Sequence, residues 1–213
     1  MITRRPIFTA LGGLCAAPAL AASAFAAPAA IPVVTVLGDS ITAGLGLDAR
    51  DALPQRLQEA LGAHGIRAMV RAAGVSGDTT AGGLARLDFS VQKDTTVCVV
   101  ELGGNDYLQS VDPEDTRANL TQIARRLKAR GIKVILAGTG APLHGAGTYG
   151  RDFDAAFVAA ARDGGAILVP DVLKGIVGTP ALIQADGLHP NAAGVKLLAG
   201  RLEPAVARAL HGR

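Results

Sequence analysis

Beyond Ala27 the chain alternates short apolar runs with stretches of helical periodicity. The runs are Ile31–Leu37, Ile66–Val70, Thr95–Leu102, Ile132–Ala137 and Ala166–Val169. Each is continuous rather than alternating between apolar and polar, the pattern of strands covered on both faces. Between them Ala52–Ala63, Ala81–Leu87, Pro113–Ala129, Phe153–Ala161 and Ala192–His211 read as helices. Asp112-Pro113 supplies a helix start with proline in the first turn, and Gly131 after Arg130 supplies a stop. The β-α-β-α order predicts an α/β fold: a flavodoxin-like three-layer α/β/α sandwich with a central parallel sheet of about five strands. Sheets of this kind bind ligands outside the carboxyl ends of their strands. The longest irregular stretch, Gly138–Arg151, follows the fourth run and is expected over that same edge.

The start of the chain obeys a different pattern. Arg4 and Arg5 precede an apolar stretch from Ile7 to Leu20, and Ala24-Phe25-Ala26 forms a small-x-small cleavage signal. Residues 1–27 therefore read as a cleaved signal peptide and 28–213 as a single domain. "TRRPIF" loosely resembles a twin-arginine signal, which leaves the route open between export of a folded chain and ordinary secretion. Bulky Leu14 argues against a lipid anchor on Cys15. Gly, Pro and Ser interrupt the run and argue against a retained membrane helix. The expected location is periplasmic or secreted, with no stable membrane insertion after cleavage.

Composition narrows the classes further. The chain has 213 residues, and the part after the leader has the size of one domain with a proper core. Hydrophobic residues make up 49%, which excludes a disordered chain. Aromatics are only 3%, so Ala, Val, Leu and Ile must fill the core and base stacking on aromatic platforms is not expected. The net charge of +3 owes much to Arg4, Arg5, Arg208 and Arg213 at the ends; no basic stripe marks a nucleic-acid partner. With Cys15 lost in the leader, Cys98 stands alone inside "TTVCVVEL" and reads as a buried core thiol. No internal disulfide and no zinc site is expected.

Four stretches at successive strand-to-helix edges carry candidate chemistry. "VVTVLGDSITAG" ends a buried strand on Gly-Asp-Ser, and Ser40 there is either a helix cap or a nucleophile. Its flanking glycines spell neither the Gly-x-Ser-x-Gly elbow nor a phosphate loop. In "GVSGDTT", Gly77 can bring a bare backbone N–H close to a ligand, or simply enter a helix capped by Asp78. In "ELGGNDY", Asn105 can offer a neutral amide donor to a developing oxyanion, or close an Asx turn, as can Asp106. In "DGLHPN", Asp186 can fold back onto the Nδ1 of His189 and leave Nε2 free to take a hydroxyl proton. The bland alternative is a capping Asp and a surface His. Together the stretches supply nucleophile, oxyanion donors, base and orienter, every role that acyl transfer needs.

"GDSIT", "GVSGDTT", "GGND" and "DGLHPN", in this order, resemble the conserved blocks of the SGNH (GDSL) hydrolase family. The chain most resembles its secreted bacterial branch of multifunctional esterases, thioesterases and lysophospholipases, over roughly Val33 to Leu198. The resemblance implies Ser40 as nucleophile, His189 as base and Asp186 as its orienter. It implies an oxyanion hole made of the N–H of Ser40, the N–H of Gly77 and the amide of Asn105. Asp39 is then expected to shape the turn. Ala72 stands where that branch often has Asn, and Gly138–Tyr149 is longer and richer in Gly than expected, so substrate preference is not carried over. Tyr107, Leu108, Leu143 and Tyr149 are candidates to line the substrate pocket. His144 lacks a neighbouring carboxylate to act as a rival base, and His64 and His211 read as solvent-facing helix-end residues.

The reading is therefore an esterase that needs no cofactor and no metal. Its partner is a small ester or lipid-like substrate: an aryl or acyl ester, with thioesters and lysophospholipids open. Two alternatives keep the fold: a carbohydrate acetylesterase, disfavoured by the lack of aromatic sugar platforms, and a non-catalytic periplasmic binding domain. A flavin or nucleotide binder is a further rival, but no dinucleotide fingerprint follows the first strand.

Overall fold

The computed structural model describes residues 2, 30–140 and 147–212. The leader expected at 1–27 falls, apart from Ile2, outside them, as do Leu143 and His144. Five strands form one sheet: β1 (Val33–Gly38), β2 (Met69–Gly74), β3 (Thr95–Glu101), β4 (Lys133–Ala137) and β5 (Ile167–Val169). Their order is β2-β1-β3-β4-β5 and every pairing is parallel. The principal helices are α1 (Ser40–Ala43), α2 (Leu53–Ala63), α3 (Thr80–Ala85), α4 (Leu87–Ser90), α5 (Gly104–Leu108), α6 (Pro113–Ala129), α7 (Thr148–Gly164) and α8 (Ala192–His211).

The continuous apolar runs are continuous because both faces of the sheet are covered. Val36, Val99 and Ile135 face one way, into a cluster with Leu57 of α2 and Leu202 of α8. Leu37, Val100 and Leu136, one residue along each strand, face the other way, against Leu120 of α6 and Phe153 of α7. A period of two in a strand places neighbours on opposite faces, so each run feeds two cores. Asp112 begins α6 as expected, its side chain accepting from the Glu114 N–H at 2.8 Å with Pro113 next to it.

The second strand lies later than the apolar run suggested, at Met69–Gly74 rather than Ile66–Val70. It is an edge strand, bonded to β1 alone, and its residues are half-buried or exposed. An edge tolerates Arg71, which pairs with Asp94 at 2.8 and 3.0 Å, whereas Ile66 marks contact with the core and not strand. Ala72 sits within this strand opposite Val36. The irregular stretch is also shorter than expected, because α7 starts at Thr148 and takes in Tyr149. Among the described residues no helix is long and apolar enough to cross a membrane.

This strand order fixes where the site falls. From β1 the chain goes out to β2, then returns past β1 to β3. The carboxyl ends of β1 and β3 therefore open a crevice between connections that leave in opposite directions. Ser40 is the second residue after β1, and Asn105 follows β3.

Candidate active site

Ser40 is the first residue of α1 and does not cap it. The cap is Asp39, whose Oδ1 accepts from the Ile41 N–H at 3.0 Å. The Ser40 hydroxyl is thereby left for another partner, and it lies 2.9 Å from His189 Nε2. Only 8% of Ser40 is exposed.

His189 comes from the loop before α8. Its Nδ1 lies 2.6 Å from Asp186 Oδ2, while Oδ1 of the same carboxylate accepts from the N–H groups of Leu188 and His189 at 2.9 and 3.0 Å. The loop is thus folded around one carboxylate. An ionised carboxylate only accepts, which places the imidazole hydrogen on Nδ1 and leaves Nε2 to accept from Ser40. The Leu188 N–H and the His189 ring together hold the Asp186 carboxyl down at about 2. It is therefore ionised throughout the neutral range.

Asn105 is carried on the short helix α5, entered through Gly103 at φ +113°. Its Nδ2 donates to the Asp78 carbonyl at 2.9 Å and to Asp39 Oδ2 at 3.2 Å. The Asx-turn alternative is not what forms; the side chain reaches across the strand ends instead. The neighbouring Asp106 is fully buried and accepts from the Thr80 N–H at 2.8 Å, which ties α5 to the start of α3.

Two carboxyls lie beneath the serine. Burial pushes Asp39 up to about 6, against the opposing pull of the Ile41 N–H and the nearby His189. Burial, reinforced by the charge of Asp39, drives Glu101 well above the ordinary carboxylate range. Glu101 ends β3 and accepts from the Thr42 hydroxyl at 2.8 Å, so it braces α1 from below.

A hydroxyl, an imidazole and a carboxylate bonded in series at a parallel-sheet switch point are the arrangement of an acyl hydrolase. The chain matches the GDSL-like Lipase/Acylhydrolase family over residues 36–197. The chain belongs to that family. It is 39% identical to the esterase TesA of Pseudomonas aeruginosa over 163 residues, which cover 76% of this chain and 81% of that one. It is 33% identical to the thioesterase 1/protease 1/lysophospholipase L1 of Escherichia coli K12 over 164 residues, 76% of this chain and 77% of that one. Among solved structures, AlinE4, an SGNH-hydrolase family esterase, superposes with a TM-score of 0.70 at 41% identity, over 86% of this chain and 99% of the other.

The remaining candidates of this GDSL-like chain divide. Leu108 lines the cavity in front of Ser40 and His189, together with Ile41, Leu173 and Leu188. Tyr107 and Tyr149 do not line it. Their ring centroids lie 5.3 Å apart, both pack on Phe153, and the Tyr149 hydroxyl donates to the Val111 carbonyl at 2.7 Å. Both tyrosines are partly buried against the core beneath α6 and α7. Gly77 has φ +83° with open space beside it, and lies next to Asp78, but is not among the residues lining the cavity. Leu173, Thr139 and Glu101 line it and were not singled out from sequence. Ile41 and Leu188 could have been, since each is an apolar residue inside a reactive block.

Proposed function

We propose that this chain hydrolyses carboxylic esters through an acyl intermediate on Ser40. One observation carries the reading: Ser40 Oγ is 2.9 Å from His189 Nε2, and the series continues at 2.6 Å from Nδ1 to Asp186. A serine hydroxyl is a poor nucleophile until a base removes its proton, and His189 is within reach to do so.

In the first step Oγ bonds to the acyl carbon as its proton passes to Nε2, and the carbonyl electron pair moves onto oxygen. The imidazolium that forms is stabilised by Asp186. The oxyanion is met by the N–H groups of Ser40 and Gly77 and by the Asn105 amide, donors worth most when fixed before the charge develops. The electron pair then returns, the bond to the leaving alcohol or thiol breaks, and His189 supplies its proton. Water attacks the acyl-serine by the same sequence and releases the acid. Each step uses groups of the chain itself.

The apolar cavity lining of Ile41, Leu108, Leu173 and Leu188 supports acyl or aryl esters as the substrate class. The names of the Pseudomonas and Escherichia relatives support esters first, with thioesters and lysophospholipids as extensions. The reading of residues 1–27 as a cleaved leader makes this an exported hydrolase, and amino-terminal sequencing of protein from the periplasm or medium checks it. The test of activity is a series of p-nitrophenyl esters of increasing chain length, run on wild type and Ser40→Ala, with fluorophosphonate labelling of both. Hydrolysis and labelling that both vanish in Ser40→Ala support the proposal; turnover that persists rejects it.

A further inference from the structure

Arg86, at the junction of α3 and α4, is held on four sides. Its Nε donates to Asp78 Oδ2 at 2.6 Å and its NH2 to the Gly38 carbonyl at 2.9 Å. Its NH1 donates to the Ala73 carbonyl and the Ser90 hydroxyl, both at 3.0 Å. The side chain is 19% exposed. The partners come from separate places: Gly38 ends β1, Ala73 is the penultimate residue of β2, and Asp78 lies in the connection to α3.

We propose that Arg86 is a positioning residue that sets the register of the oxyanion donors; this rests on the acyl-transfer reading above. Each donor is one short step from the guanidinium. Gly38 is followed by Asp39 and Ser40, so the β1 carbonyl fixes where the serine N–H starts. Gly77 lies between the Ala73 and Asp78 attachments. Asn105 donates to the carbonyl of the same Asp78 whose carboxylate Arg86 holds.

The chemistry calls for arginine. The Gly38 carbonyl also accepts from the Val75 N–H at 3.1 Å, so the guanidinium is its second donor and ties the end of β1 to the chain beyond it. A planar guanidinium carries five N–H groups in a fixed fork, which reaches two carbonyls and a carboxylate together. A lysine keeps the charge and one partner but not the span. Backbone displacement on the order of 1 Å at such donors costs about 10²-fold in rate, so a strut joining them acts on turnover more than on substrate binding.

The experiment measures kcat and KM for p-nitrophenyl butyrate in Arg86→Met and Arg86→Lys, each also in an Asn105→Ala background, with melting temperatures and a Ser40→Ala control. Both single variants are expected to lose kcat by on the order of 10–10²-fold, with KM within about threefold. In the Asn105→Ala background the further loss is expected to be smaller but not to vanish, because the arm through Asp78 then has no amide to hold while the arms to Gly38 and Ala73 still place the Ser40 and Gly77 N–H groups. Wild-type kcat in a folded Arg86 variant overturns the inference. So does full recovery in Arg86→Lys, which would make charge and not register the cause, or a loss that multiplies fully with Asn105→Ala. If both variants fail to fold, Asp78→Ala cuts one arm alone: an intermediate loss of kcat at unchanged KM supports the strut, and no loss rejects it. A Ser40→Ala enzyme that keeps its turnover takes down the hydrolase reading and this one together. An inactive Ser40→Ala beside fully active Arg86 variants takes down this one only.

Discussion

Asn105 Nδ2 lies 3.2 Å from Asp39 Oδ2, so the candidate oxyanion donor is engaged by a carboxyl group before any substrate arrives. Its bond to the Asp78 carbonyl is shorter, at 2.9 Å, and is the one that sets the amide's position. The longer bond is the one that a developing oxyanion would replace. Deleting the amide then removes a donor whose orientation is already fixed. Asn105→Ala is expected to lower kcat on the order of 10²–10³-fold with little change in KM. Steady-state kinetics on the folded variant check this, and a loss below about threefold rejects the role.

Asp39 itself gives a pH-dependent stability. Burial raises Asp39 from an ordinary 3.8 to about 6. Between those values the folded chain binds a proton that the unfolded chain has released, so stability falls as pH rises through that window. The contribution is whole below about 3.8 and gone above about 6. Asp39→Asn removes the titration. The melting temperature of the variant minus that of wild type is expected to climb from pH 4 to pH 6. A difference that stays constant over that range contradicts the assignment.

Asp186 titrates in the opposite direction. It is held down at about 2 by the Leu188 N–H and His189, so its contribution is present above about 3.8 and is lost as pH falls toward 2. The side chain is well exposed, and the effect on stability is modest. The effect on chemistry is larger. Asp186→Asn keeps the size of the side chain but removes the charge that holds hydrogen on Nδ1. Its kcat is expected to fall on the order of 10²–10⁴-fold while circular dichroism at neutral pH is unchanged. Equal kcat in variant and wild type would show that His189 needs no orienter.

Which parts could be read in advance follows from how locally each is encoded. Ser40 and His189 are 149 residues apart, yet each announces itself within its own loop: Gly-Asp-Ser at the end of an apolar run, and Asp-x-x-His ahead of a helix. The sheet was legible because covered strands are apolar on both faces. β2 was misplaced because an edge strand has no such requirement, and small or charged residues serve it equally well. Tyr107 and Tyr149 read from sequence only as candidates for the pocket; whether an aromatic ring meets solvent or Phe153 depends on how α5 and α7 pack, which no local pattern states. Arg86 was invisible for a similar reason. Its partners, Gly38, Ala73 and Asp78, converge only when β1 and β2 lie side by side.

Gly103 joins the aromatic cluster to the Asn105 turn, and its replacement tests both. Its φ of +113° is one that residues with a Cβ rarely adopt. A Cβ there would lie 2.7 Å from Phe157 Cζ. Phe157 is buried against Phe153, with ring centroids 5.8 Å apart, so it has little room to withdraw. Backbone strain of about 1–3 kcal/mol and a similar cost of overpacking act together in Gly103→Ala. At about 2–4 °C per kcal/mol for a domain of this size, the melting temperature is expected to drop by roughly 5–20 °C. Adding Phe157→Leu relieves the clash but not the strain, and is expected to recover part of the lost stability relative to Phe157→Leu alone. Because the strain falls at the entry to α5, kcat is expected to stay low in the double variant even where stability returns. Full recovery of both would show that Gly103 serves packing and does not aim Asn105.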